Sequence, residues 1–186
     1  MCEPLLFTEA DENFVTVVFR PATVCGFSPR QRLDVSVNIL TNLAVNTNKI
    51  TVFGGSQRRP NIHIQDYIDV VKVLITAPSD KIQKQIFNVG NENLTISAIA
   101  EIVRKVVLRN FPEKTSLEVV QSPSDDNRSY HINSDKIEKV LGFRARRTVE
   151  DAVQELCEAF KNGLLPNSLT DEKYFNVKTL KGMAIK

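Results

Sequence analysis

At 186 residues, 42% of them hydrophobic and 25% charged, the chain has the make-up of a globular protein and enough length to bury a core. A formal charge of +2 is too small to point by itself to a nucleic-acid or membrane partner. No apolar run reaches the roughly 20 residues needed to cross a bilayer. Met1 to Ala10 has neither the basic flank nor the apolar centre of a secretory leader, so a cytoplasmic location is expected. Cys2, Cys25 and Cys157 are odd in number, widely separated and match no zinc spacing, which suggests free thiols in a reducing compartment.

Cys2 to Glu9 reads as the end of a helix. Phe14 to Arg20 is a β-branched and aromatic run, the pattern of a strand buried on both faces. Pro21 and Gly26 bracket the loop after it. Leu33, Val37, Leu40 and Ala44 follow at helical spacing. Lys49 to Phe53 predicts a short strand running into the turn at Gly54-Gly55. Asn61 to Ile64 reads as extended, and Ile68, Val71 and Ile75 mark a helix that ends before Pro78.

The alternation then repeats. Gln85 to Val89 predicts a strand stopped at Gly90. Thr95 is placed to cap a helix with Ile96, Ile99, Val103 and Val106 inward. Ser116 to Val120 is a further strand, and Ser134 opens a short helix closed by Gly142. Thr148 and Asp151 form a capping-box pattern ahead of Val149, Ala152, Val153, Leu156 and Phe160, and Asn162-Gly163 ends that helix. The tail, 164–186, has weak periodicity and is expected to be partly disordered. Strands alternating with helices predict an α/β protein with parallel pairing. Because a helix end precedes the first strand, one edge of such a sheet is left unaccounted for.

Four segments in register resemble the extended short-chain dehydrogenase/reductase superfamily, which contains the NAD-dependent sugar-nucleotide epimerases and dehydratases. They are Phe19-Arg-Pro-Ala-Thr-Val-Cys-Gly26, Gly54-Gly-Ser-Gln-Arg-Arg-Pro-Asn-Ile-His-Ile-Gln-Asp66, Phe87-Asn-Val-Gly-Asn-Glu-Asn-Leu-Thr-Ile96, and Asp126-Asn-Arg-Ser-Tyr130 with Ser134 to Phe143. The resemblance covers 1–163 and implies the C-terminal part of a doubly wound, Rossmann-like parallel sheet plus a small α/β substrate-binding lobe. The family's glycine-rich turn, which seats the cofactor pyrophosphate on a helix N-terminus, occurs nowhere in this sequence. Its Tyr-x-x-x-Lys pair is also absent, since Tyr67, Tyr130 and Tyr174 have no Lys four residues on. Glu3-Pro-Leu-Leu6 resembles the end of the helix that carries the pair. The cofactor-binding half is therefore expected to be missing, and the chain to be inactive alone.

The resemblance implies NAD as cofactor, taking a hydride from a sugar carbon, and a nucleoside-diphosphate sugar as substrate. It places Pro21, Ala22 and Val24 beside the nicotinamide and Thr23 beside the sugar. Arg59 and Arg128 fall on the diphosphate, where planar guanidinium groups match phosphate oxygens. Arg32, with Leu33, borders the nucleotide, and Arg30 could serve in place of Arg32. Arg58 should face away from Arg59, as neighbours on a strand do. His63 could be a general base, but packing under the sheet, with Asp66 capping the next helix, is the favoured reading. Cys25 stands where the family has Tyr, and no spacing supports a thiol–imidazole pair. The alternative to an enzyme portion is a non-catalytic nucleotide-sugar-binding or partner-dependent module. A homodimer, or association with the missing half, is expected.

Overall fold

The computed structural model describes residues 2–124 and 128–182. Helix α1 (Cys2–Thr8) precedes two short strands, β1 (Val17–Pro21) and β2 (Thr23–Cys25). Then come α2 (Ser36–Thr47), β3 (Lys49–Phe53), β4 (Arg58–His63), α3 (Ile64–Thr76) and a single turn of helix, α4 (Ser79–Ile82). β5 (Gln85–Val89), β6 (Glu92–Thr95), α5 (Ile96–Asn110) and β7 (Glu118–Ser122) follow. α6 (Asp135–Leu141), α7 (Val149–Lys161), a 3-10 turn at Glu172–Tyr174 and α8 (Asn176–Gly182) complete the described chain.

The strands form three small sheets. β1 pairs parallel with β5, Val17 opposite Gln85 through Pro21 opposite Val89. β3 pairs parallel with β7. Between them β4 lies beside β2 in parallel and beside β6 in antiparallel. Parallel strands joined by helices that cover their faces make this a fragment of a Rossmann-like α/β fold, as expected.

Two larger cores fill the molecule. Val37, Leu40, Val52, Ile99, Val103 and Val153 bring α2, α5 and α7 onto β3. Ile62, Val70, Leu74, Phe87, Val89 and Ile137 bring α3 and α6 onto β4 and β5. Two of the helix caps read from sequence, at Thr95 and Thr148, hold. The Thr95 hydroxyl accepts from the Ala98 N–H at 3.1 Å, and Thr148 and Asp151 complete a reciprocal capping box on α7.

The structure corrects several expectations. β1 is half-buried, not covered on both faces: Val17, Val18 and Phe19 are partly buried, and Arg20 and Pro21 are exposed. The last strand runs two residues later than the sequence pattern suggested. On α3 the residues that mark the helix turn outward, with Ile68 at 41% and Ile75 at 78% exposure. The inward stripe is Asp66, Val70 and Leu74. Its rotation follows from Asp66, whose buried carboxylate accepts from the Arg146 and Arg147 N–H groups at 3.0 and 2.8 Å. Asp66 therefore ties a distant segment and does not cap α3. The cap is His63, whose Nδ1 accepts from the Gln65 N–H at 3.1 Å. Between 164 and 182 the tail packs. Leu165 and Tyr174 are buried with Leu33, and the Leu33 N–H donates to the Tyr174 carbonyl at 2.9 Å.

Candidate functional site

The chain crosses from the β1–β5 sheet to the β2–β4 sheet at Ala22, and this step builds the candidate site. The Ala22 N–H still donates to the Val89 carbonyl at 2.7 Å, while Thr23 already stands opposite Asn61 on β4. Gly90 permits the crossing. A Cβ there would lie 2.5 Å from Ile132 Cγ2 and 3.1 Å from the Ala22 Cβ, so a side chain would push the two segments apart.

A cleft of about 460 Å3 opens beside this step. Ala22, Thr23, Val24 and Arg32 all line it, together with Asn38 and Tyr67. Three of the residues assigned to cofactor and sugar thus meet Arg32 in one place. Thr23 is half-buried, with its hydroxyl available to a ligand hydroxyl. Pro21 is exposed at the end of β1, outside the cleft lining. Arg32 is partly committed, since its Nε donates to Asp34 Oδ1 at 2.9 Å. Burial pushes the Asp34 carboxyl upward, but Arg32 and the Asn176 N–H outweigh burial and hold it below the usual carboxylate range. Arg30, the alternative to Arg32, also lines the cleft but donates to Asn176 Oδ1 at 2.9 Å.

Leu33 is a correction. It is fully buried beneath α7, against Leu156 and Tyr174, so its side chain cannot touch a ligand in the cleft. Its apolar spacing placed it equally well in a core, and the core has it.

Arg59 and Arg128 do come together. The Arg59 Nη1 donates to the Arg58 carbonyl at 3.0 Å and to the Arg128 carbonyl, and its guanidinium lies 5.4 Å from the centre of the Tyr130 ring. Asp126 and Asn127, which belong to the same motif, lie outside the described residues. Arg59 lines a second pocket of about 280 Å3, beside α2 and β3. Arg58 reaches the other way, to the Asn93 carbonyl at 3.3 Å. Phe53 lines the Arg59 pocket with 59% exposure. Sequence reading assigned it only to a strand, although an aromatic at a strand end before Gly-Gly was the available signal. Tyr67, in the larger cleft, was likewise passed over as a helix residue. Its ring packs on Phe19 with centroids 5.4 Å apart.

Cys25 ends β2 with its thiol buried, donating to the Ile62 carbonyl at 3.4 Å. Burial, then the charges of Glu92, Glu155 and Asp66, push it up to about 12, so it is no nucleophile near neutral pH.

The segment Ala22 to Val24 lines one wall of the cleft. A pyrophosphate needs free N–H groups at a glycine-lined strand-to-helix turn. The two direct strand-to-helix junctions among the described residues, β4 to α3 and β6 to α5, carry no glycine and turn at His63 and Thr95, whose side chains already take the Gln65 and Ala98 N–H groups. No described helix is long and apolar enough to cross a membrane.

Residues 5–90 match the model of the NAD dependent epimerase/dehydratase family. Among solved structures, the chain is similar to a UDP-glucose 4-epimerase with UDP-glucose from Thermotoga maritima. That match has 20% identity and a TM-score of 0.71, and covers 87% of this chain and 51% of that one. It is also similar to a dTDP-glucose 4,6-dehydratase in complex with NAD from Bacillus anthracis, at 18% identity and TM-score 0.66, covering 90% and 49%. A UDP-glucuronic acid 4-epimerase from Bacillus cereus, in complex with UDP-glucuronic acid and NAD, matches at 21% identity and TM-score 0.64, covering 78% and 45%. These likenesses establish the fold, and the chain spans about half the length of the structures it matches.

Proposed function

Because residues 5–90 match the model of the NAD dependent epimerase/dehydratase family, we propose that this chain is the nucleotide-sugar-binding portion of an NAD-dependent epimerase or dehydratase, inactive alone. The observation that carries the reading is the junction of Arg59 with the Arg128 backbone beside Phe53. It sets two guanidinium-bearing segments next to an exposed aromatic ring, a pairing suited to a diphosphate and its base. The sugar extends toward Thr23 in the larger cleft, where Arg32 borders the nucleotide. The chain's own residues bind and orient. Tyr67 in the cleft has Val71, not Lys, four residues on, so the family's Tyr-Lys base pair is not supplied here.

The family match supports NAD as the cofactor of the intact enzyme. Ala22 and Val24 form a wall for the nicotinamide, Pro21 flanks them, and the pyrophosphate is held by a polypeptide carrying the glycine-rich turn. The free edge of β1 and the apolar surface of Leu5, Phe14 and Val18 beside it are the seat for that polypeptide. Calorimetric titration of the chain with UDP, UMP and NAD tests the proposal. The expected result is saturable UDP binding, weaker UMP binding and no micromolar NAD binding. Micromolar NAD binding, or equal UDP and UMP affinities, overturns it.

A further inference from the structure

A cavity of about 730 Å3 lies next to the cleft, between the start of α3 and the end of α7. The loop through Ser28 and Arg30 borders both spaces. Phe27, Ile68 and Leu164 give the cavity apolar walls, Gln65 and Glu155 face it, and His63 lies buried at its edge against Glu155. Its size and its few convergent polar groups are those of a small-molecule site.

His63 defines what such a molecule must offer. Its side chain is fully buried, and Nδ1 accepts from the Gln65 N–H as the cap of α3. A nitrogen that accepts carries no proton, so in the neutral ring the proton sits on Nε2. Nε2 lies 3.2 Å from Glu155 Oε2 yet has no hydrogen-bond partner in line, leaving a buried donor unanswered. A Cβ on Gly26, which has φ +103°, would stand 3.2 Å from Nε2, so any other residue there would crowd the ring. Glu155 is 45% exposed on its side chain, so an outward rotamer that admits a hydroxyl at Nε2 would enter solvent, not packed protein.

These facts discriminate among ligands. The protonated Nε2 rejects a metal ion. The carboxylates of Glu155 and Glu158 disfavour an anion, and Arg30 is turned to Asn176. A hydroxyl satisfies both groups, accepting from His63 Nε2–H and donating to Glu155. A ring bearing several hydroxyls can also lay its C–H face on Phe27 and Ile68. We propose that this cavity is a second saccharide subsite, taking an uncharged sugar ring with one hydroxyl between His63 and Glu155. It is separate from the nucleotide site and does not depend on that reading.

The test is NMR titration of the full, isotope-labelled chain with glucose, with glucose 6-phosphate and with UDP as separate probes. Glucose should shift the His63 ring and Gln65 amide signals saturably, with Kd in the range of about 1 mM. Glucose 6-phosphate should bind more weakly, and UDP should leave these signals unmoved. Glu155→Ala should weaken glucose about tenfold, the scale of a lost hydrogen bond to a charged group. Ile68→Arg, which blocks the mouth from an exposed position, should abolish the shifts while thermal melting shows the chain folded. No saturable shift, tighter binding of the phosphate, or an unaltered response in Ile68→Arg overturns the proposal. Loss of UDP binding alone bears on the nucleotide site and leaves this one standing.

Discussion

Replacing Arg59 by alanine should do more damage to nucleotide binding than one lost contact. A charge-assisted hydrogen bond to phosphate contributes about 1.5–3 kcal/mol, or roughly tenfold to a hundredfold in Kd. Arg59 also donates to the Arg128 carbonyl and covers the Tyr130 ring at 5.4 Å, so it braces the segment that presents Arg128. Arg59→Ala should therefore remove its own contact and part of that made by Arg128. Arg128→Ala removes only its own side chain and leaves the brace. In a double-mutant cycle the combined loss should then fall short of the sum of the single losses, by about 0.5–3 kcal/mol. Calorimetric titration of UDP into the four proteins reads this directly. Arg59→Lys should restore only part of the affinity, because an ammonium lacks the planar fork. Arg58→Ala is the control, since its guanidinium reaches the Asn93 carbonyl on the other side of the strand. Strictly additive losses would refute the bracing, and equal losses for Arg58→Ala and Arg59→Ala would replace the paired site with a diffuse basic surface.

Asp66→Ala should cost about 1–3 kcal/mol in urea unfolding, because removing the buried carboxylate leaves the Arg146 and Arg147 N–H groups unanswered while the partly exposed Arg147 guanidinium keeps Asp69; a loss under ~0.5 kcal/mol would contradict this network. The Thr148 N–H and hydroxyl hold the Asp151 carboxyl below its ordinary value. That stabilisation is present above the ordinary pKa of about 4 and is lost as pH falls through the lower folded value, so Asp151→Asn should flatten the acid side of the stability profile. Burial pushes the Cys25 and Cys157 thiols up to about 12, so iodoacetamide near pH 8 should modify Cys2 and spare the other two, as peptide mass mapping would show. The free edge of β1 beside exposed Leu5 and Phe14 should make the chain alone self-associate, which sedimentation across a concentration series would detect; a monomer at high concentration counts against it.

Local chemistry made much of the fold legible. Thr95 and Thr148 cap the helices they precede because a hydroxyl placed three residues before a free N–H has one obvious use. The motif register brought Arg59 to Arg128 across 69 positions, which no periodicity could do. Periodicity failed on α3, where two apolar stripes share one helix. The choice between them rests on Asp66 meeting Arg146 and Arg147 from 80 residues away. Leu33 failed for a related reason, because the tail that buries it supplies Leu165 and Tyr174 from a stretch with little pattern of its own. The burial of β1 depends on what covers its faces, a property of neighbours and not of the run Val17 to Pro21 itself. Phe53 was hidden in plain view, since an aromatic in a strand ordinarily reads as core until its exposure is seen.

A crystal structure of the chain with UDP-glucose tests the central claim most directly, because phosphorus positions locate the diphosphate without reference to activity. The account predicts the diphosphate within hydrogen-bond reach of the Arg59 and Arg128 side chains, the base against Phe53 and the sugar turned toward Thr23. A diphosphate bound away from both arginines, with the Thr23 cleft empty of sugar, would contradict it.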